Sequence, residues 1–311
     1  MQIARRRFLA TGAVGIGLGL SGAATRVLAH ELDRNGVYLR RGYANCRYGQ
    51  LHYLRGSPSD GETKHPPLVL LHQTPSSSLE YDKLVAEMGK DRDVIAFDTP
   101  GNGMSDYPPG PMEIPGFAVA FGDGIDDLGL AKAGPVDVFG YHTGTLLAAE
   151  LGIARPDAVG RLVMSGIPFR TVEERQERIE QIENGPKLTE DGEQILAQQR
   201  ALWNYVVGRR DKRIPLRRSA EIYMEKARPM DRYWWPYRGV WTYEVAERFP
   251  LIKQPLLVIQ PHEALLQSSR DAAALVGTSH VVELPELSTD VFEVGVAEFA
   301  RELRKFLVSA G

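Results

Sequence analysis

The sequence predicts an α/β domain in which a mostly parallel sheet is flanked by helices and covered at one end by a helical insert. Three observations carry this. Short apolar runs such as 67–71 (PLVLL), 93–97 (DVIAF) and 161–165 (RLVMS) alternate with helical stretches, as expected of strands buried on both faces. The run 136–139 ends in Gly140-Tyr141-His142-Thr143-Gly144 and passes at once into a small-residue helix start. From about 170 to 250 the alternation stops: the chain becomes charged and helical, and Trp203, Trp234, Trp235 and Trp241 all fall there.

Taken in order, residues 43–54 read as a hairpin with strands 43–47 and 51–54 about a turn at Tyr48-Gly49-Gln50. A polar Gly/Pro/Ser loop covers 56–66, and 67–71 is the next strand. A helical stretch near 79–90 leads to the strand 93–97. A loop over 98–115 and a helix near 116–130 precede the strand 136–139, and a helix over 143–155 follows it. After strand 161–165 comes the insert, at about 170–250. Strand 255–260 (PLLVIQ), a helix near 266–276, strand 280–284 (HVVEL) and an amphipathic helix over 296–308 complete the order. There is no internal repeat. The insert is expected over the carboxyl ends of the strands, where open α/β sheets hold their ligands.

Composition is ordinary for a globular domain: 43% hydrophobic, 25% charged and a net charge of −3. That balance gives no reason to expect nucleic acid. Cys46 is the single cysteine, so no internal disulfide or cysteine metal cluster is available. The start of the chain is different. Arg5-Arg6-Arg7-Phe8-Leu9-Ala10 matches a twin-arginine export pattern, a Gly/Ala/Leu stretch follows, and Val27-Leu28-Ala29 offers the small residues of a cleavage site. Five glycines between Gly12 and Gly22 make that stretch a poor membrane span. The expected organisation is therefore a signal at 1–29 and one domain at 30–311, with its core at 43–169 and 251–308. The expected location is periplasmic or secreted, with no membrane anchor once the signal is removed.

The segment around His142 has the form of a nucleophile elbow, G-x-S-x-G, with histidine in place of serine. Gly140 and Gly144 sit where a side chain would collide with the strained turn. Further landmarks follow the same scheme. Leu71-His72-Gln73-Thr74-Pro75 matches an H-G-x-P turn, and Asp98-Thr99-Pro100-Gly101-Asn102-Gly103-Met104-Ser105 matches a D-x-x-G-x-G-x-S loop. With the elbow, the insert, the P-x-L-V-I strand and a late Pro-Glu turn, the chain resembles the cap-bearing α/β-hydrolase fold family, which includes esterases, epoxide hydrolases, dehalogenases and C–C bond hydrolases. The resemblance covers about 43–308 and implies an eight-stranded sheet. It also implies a triad of nucleophile, acid and histidine, and here the chain departs from the family. His142 holds the nucleophile position. Pro261-His262-Glu263-Ala264 stands at the acid turn, with Glu263 one residue early. Ser288 and Thr289 stand where the histidine belongs, and His280 comes too early. The ordinary serine mechanism is not expected. The resemblance further implies an oxyanion hole from the backbone N–H groups of Thr74 and Thr143.

Three readings of His142 remain open at this point: base or nucleophile oriented by Glu263, ligand-binding group, or filler of a pocket that has lost its chemistry. The corresponding functions are an exported hydrolase acting on an ester or other carbonyl in a small apolar molecule, or a non-catalytic protein that binds a ligand or partner. The expected pocket residues are Gln73, Tyr141, Trp203, Trp234 and Trp235. Glu225 or Asp231 of the insert could complete the site. His72 and Asp98 are expected to be structural, Ser76, Ser77 and Ser78 to cap a helix, and no cofactor or metal is expected.

Overall fold

The computed structural model describes residues 36–309, so the expected signal at 1–29 lies outside the described residues. Eight strands form one sheet: β1 (Val37–Cys46), β2 (Gly49–Pro58), β3 (Leu68–Leu71), β4 (Val94–Phe97), β5 (Val136–Tyr141), β6 (Val159–Ser165), β7 (Leu256–Pro261) and β8 (Ser279–Leu284). Their spatial order is β1-β2-β4-β3-β5-β6-β7-β8. Strands β1 and β2 pair antiparallel with each other, β2 pairs antiparallel with β4, and the remaining pairs are parallel. The hairpin is longer than the sequence suggested. Its turn is Arg47-Tyr48, and residues 56–58, expected in a loop, continue β2. Gly56 pairs with Val94 and lies against Val85 so closely that a Cβ there would meet the Val85 carbonyl at 2.9 Å, so a turn signal in sequence is here a packing glycine.

Alternation assigns the two faces. Val69, Leu71, Ile95, Phe97 and Val138 point to one side, under α2 (Ile114–Asp127) and α3 (Thr143–Ala154). Leu68, Leu70, Val94, Ala96 and Phe139 point to the other, under α1 (Asp82–Met88) and the closing helix 296–308. The four residues of β3 and the four of β4 are all buried, which is why these strands read as continuous apolar runs. On the second face Tyr81, Phe139, Phe292 and Phe299 meet edge to face, with ring centroids 5.0–5.9 Å apart. Such contacts add about 0.5–1.5 kcal/mol each beyond area burial.

The insert comprises α4 (Val172–Glu183), α5 (Glu193–Trp203), α6 (Leu216–Ala227), α7 (Trp234–Thr242) and α8 (Val245–Arg248). Thr171 and Glu174 form a reciprocal capping box at the start of α4. Two ionic anchors fix the insert on the core. Glu150 of α3 accepts from Tyr243 Oη at 2.6 Å and from two Arg248 nitrogens at 2.7 and 2.8 Å. Arg218 reaches Asp82 at 2.7 Å and Glu293 at 2.6 Å. After β7 come α9 (Leu266–Ala273), α10 (Val291–Val294) and α11 (Val296–Val308). No described helix is long and apolar enough to cross a membrane.

The chain runs from β3 to β4 on one side and then places β5 on the other side of β3. The order reverses between β3 and β5, and such a switch opens a crevice at the strands' carboxyl ends. The two loops that enter it are 72–75 and the elbow.

The elbow depends on two glycines. A Cβ on Gly144 would fall inside the Leu71 carbonyl oxygen, and one on Gly140 inside the Gly144 carbonyl. Gly144→Ala is expected to cost about 3 kcal/mol or more in urea unfolding, whereas Gly110→Ala, with nothing within 4 Å, should change little. Equal stability of the two variants would refute the packing account. A pH effect follows from β5. Asp137 is 1% exposed, and the fully buried Arg92 guanidinium lies 3.7 Å away. Loss of water outweighs Arg92 and lifts the Asp137 carboxyl to about 6. The folded form then binds this proton more tightly than the unfolded chain, where the value is about 4. Its contribution to stability is largest below that value and is lost as pH rises to about 6. Urea melts at pH 4 and 7 should show a decline of about 2–3 kcal/mol that Asp137→Asn lacks.

Candidate active site

His142 stands between β5 and α3 with φ 49° and ψ −113°, a conformation that non-glycine residues rarely adopt. Holding it costs about 1–3 kcal/mol, which the surrounding packing must offset. Tyr141 supplies part of that packing. It is fully buried, its ring stacks on the imidazole with centroids 4.0 Å apart, and its far edge meets Phe292. It therefore supports the histidine from below and does not line the cavity, contrary to the sequence expectation.

The strained turn sends the imidazole across the ends of β6 and β7 to Glu263. His142 Nε2 lies 3.0 Å from Oε1 and 2.9 Å from Oε2 of that carboxylate. The Glu263 side chain is 2% exposed and that of His142 23%. Gln260, at the end of β7, donates from Nε2 to Glu263 Oε1 at 3.3 Å, while its Oε1 accepts from Gly166 N at 3.1 Å. A carboxylate can only accept, so the shared hydrogen is on Nε2, and whenever the ring is neutral its lone pair is on Nδ1.

Gly166, which sequence reasoning passed over, makes this approach possible. It follows β6 with φ +70°, and a Cβ there would clash with His142 Cδ2 and meet Glu263 Oε1 at 2.6 Å. The available signal was a glycine directly after an apolar strand run.

Thr74 and Thr143 are buried, both line the cavity, and neither backbone N–H is bonded by a described residue. Both stand where the switch between β3 and β5 opens the crevice, one on each of its two loops. Gln73 also lines the cavity, but its side-chain amide is held by Glu80 Oε1 and its backbone N–H reaches Glu80 Oε2 at 3.4 Å. His72 is structural: Nδ1 donates to Gln73 O at 2.6 Å, Nε2 accepts from Thr99 N at 2.9 Å, and burial pushes its protonation below the usual histidine range. Asp98 ties down three segments, accepting from Ser78 N, Met104 N and His52 Nδ1. Ser77 caps the turn Ser78–Tyr81. Thr289 lines the cavity, and its carbonyl accepts from Tyr141 Oη at 3.4 Å. Among the described residues, no group of three or more His, Cys, Asp or Glu side chains is disposed to hold a metal ion.

The cavity above His142 holds about 800 Å³ and is roofed by the insert. Besides His142, the aromatic residues that line it are Tyr205, Tyr233, Tyr237, Trp241 and Phe292. The expected Trp203, Trp234 and Trp235 do not. Trp203 is 41% exposed and packs against Tyr223, while Trp234 and Trp235 pack on each other and Trp235 on Tyr107. In a helical insert the apolar face is set by the neighbouring helices, and the sequence carries no marker of which face that is. Glu225 lines the cavity and Asp231 does not. The insert meets the 72–75 turn through Lys226, whose Nζ donates to Pro75 O at 3.0 Å. Burial holds its ammonium below the usual lysine range, with Glu80 and Asp290 opposing.

Residues 66–219 match the model of the alpha/beta hydrolase fold family. The chain has the α/β-hydrolase fold. With that fold it resembles the enol-lactonase of Burkholderia xenovorans, at a TM-score of 0.70 and 21% identity over 86% of this chain and 100% of the other. It also resembles E-2-(acetamidomethylene)succinate hydrolase, at a TM-score of 0.64 and 17% identity over 87% and 100% of the two chains. In sequence it is 30% identical, over 118 residues, to (E)-2-((N-methylformamido)methylene)succinate hydrolase of Acinetobacter baylyi. That match spans 38% of this chain and 44% of the relative, less than half of either. Within the α/β-hydrolase fold, the elbow of this chain carries an imidazole bound directly to the carboxylate after β7.

A test of this geometry is independent of turnover. The Nε2–H of His142, shared with Glu263, should give a low-field proton resonance in the wild type. Glu263→Gln and Gly166→Ala should both remove it, and its survival in Gly166→Ala would show that the glycine is not needed for the approach.

Proposed function

We propose that this chain is a carbonyl-directed hydrolase in which His142, oriented by Glu263, is a general base and replaces the covalent nucleophile of the fold. The observation that carries the reading is the His142–Glu263 pair at 2.9–3.0 Å beneath a roofed cavity. Glu263 fixes the tautomer with the lone pair on Nδ1 and stabilises the imidazolium formed when a proton is taken. Nδ1 is flanked by the ring carbon that bears Cβ, and Cβ is pinned by the strained elbow. Attack on a carbonyl through that nitrogen is sterically poor, while removal of a proton from water or a substrate needs only a hydrogen at its lone pair. Water activated in this way would add to an ester or related carbonyl, the Thr74 and Thr143 N–H groups receiving the developing oxyanion.

The relatives support a carbonyl or enol substrate of small size, since their names describe an enol-lactonase and hydrolases of substituted methylene succinates. Export belongs to the same reading. The Arg5-Arg6-Arg7-Phe8-Leu9 pattern would take the folded protein to the periplasm or beyond.

The test is turnover of a panel of activated esters and thioesters by the mature protein. His142→Ala is expected to lose about 10²–10⁴-fold in kcat. Glu263→Gln should lose activity in the same direction with KM little changed. His142→Ser should not restore a serine hydrolase, since no histidine follows position 280. Mass spectrometry after rapid quench should find no acyl adduct on the wild type. An acyl-imidazole would instead make His142 the nucleophile. Inertness of the wild type across the panel would favour a ligand-binding protein.

A further inference from the structure

Four arginines of the insert line the cavity, Arg170, Arg178, Arg209 and Arg210, and Arg210 is spent on the Val207 and Ile214 carbonyls. Arg175 closes on Glu244 with both terminal nitrogens, at 2.6 and 2.7 Å, Arg238 meets Glu113 at 2.8 Å, and Arg218 spans Asp82 and Glu293. Arg170 and Arg178 behave differently. Both line the cavity, and neither has a carboxylate within hydrogen-bonding distance among the described residues. Glu174 comes no nearer to Arg170 than 3.8 Å, and Arg178 binds only the amide oxygen of Gln181. Both guanidinium groups lie on one indole instead, 5.9 and 5.7 Å from the Trp241 ring centroid. Arg178 also lies 5.8 Å from Tyr237. Cation–π contacts of this kind hold the two groups in place without neutralising them.

Three of the cavity carboxylates, by contrast, are already engaged, and the fourth, Glu225, stands on the Lys226 side of the cavity. Glu80 is held by Gln73, Asp290 accepts from Asp211 N at 3.1 Å, and Glu293 pairs with Arg218 and Lys83. Trp241 Nε1 and Arg170 Nε, moreover, are buried without a hydrogen-bond partner among the described residues. This wall of the cavity offers donors and positive charge, and among the described residues only the Gln181 amide oxygen accepts from it, with no carboxylate in hydrogen-bonding distance.

We infer that the Arg170–Trp241–Arg178 wall is a carboxylate subsite, so that the substrate of this cavity is a small carbonyl compound bearing a free carboxylate. Planar guanidinium forks match a carboxylate in two-point contact, and aromatic stacking fixes their orientation before the ligand arrives. Arg170 lies four residues after Gly166, the glycine that packs on the His142–Glu263 pair, so the subsite and the base are joined by one short crossing from β6. The inference deepens the proposed function by naming the substrate class, and it rests on that reading only for the word substrate.

The experiment reads binding, not turnover. Isothermal titration with succinate, dimethyl succinate and inorganic phosphate is run on the wild type, Arg170→Gln, Arg178→Gln and His142→Ala. Succinate is expected to bind the wild type and His142→Ala alike, and about tenfold or more weakly in each arginine variant, the loss expected for a charged hydrogen bond. Dimethyl succinate should bind no arginine-dependent site. Unchanged succinate binding in both arginine variants, no binding to the wild type, or equal binding of the dimethyl ester overturns the inference. Phosphate binding as tightly as succinate overturns the carboxylate assignment in favour of a general anion site. Arg178 is exposed, so Arg178→Gln carries the test if Arg170→Gln does not fold. A chain that is inert toward esters but binds succinate through Arg170 refutes the proposed function and leaves this subsite standing.

Discussion

The contact between Gly144 and the Leu71 carbonyl is the constraint on which the rest of the site depends. It lets the helix after β5 start against the end of β3, which puts Thr143 on the same cavity as Thr74. It also forces the turn before it into a positive φ at His142. One close approach of two backbones thereby sets the direction of the imidazole, the placing of the two free N–H groups on one cavity and the floor of that cavity. The aromatic cluster of Tyr81, Phe139, Phe292 and Phe299 stands behind that floor, with Tyr141 as the link, so packing of the second core face holds the strained residue in place.

Electrostatics then divide the site into parts with different tasks. Glu263 is buried and fully committed to His142 and Gln260. Glu80 is committed to Gln73, which keeps the amide away from the centre of the cavity. Glu150 and Glu293 join insert to core, so their charges contribute to holding the roof in place. Among the groups the protein leaves uncommitted are a ring nitrogen, two backbone N–H groups, and positive charge on the indole wall. These are the groups that a carbonyl compound with an anionic arm requires.

Local rules made much of this legible in sequence. Strands buried on both faces read as apolar runs because neither face meets water. Gly140 and Gly144 were readable because their constraint is steric and lies within five residues. The Glu263–His142 partnership could be raised as a possibility, but its distance depends on how two loops approach across β6, and no spacing encodes that. The tryptophans failed for a related reason. Trp241 and Trp235 have the same composition signal, yet only the packing of α7 on α2 and α3 decides which one faces the cavity. Residues 56–58 carry turn propensity in sequence yet lie in a strand, because Gly56 serves close packing against Val85.

The direct seating of His142 on Glu263 also bears on how such a site could have arisen, and on how hard it is to leave. A serine at position 142 would be too short to reach the carboxylate, stranding a charge that is 2% exposed with only Gln260 as a weak partner. Positions 142 and 263 are therefore coupled: a change at either one alone leaves a buried polar group without its main partner, so the two tolerate substitution only together.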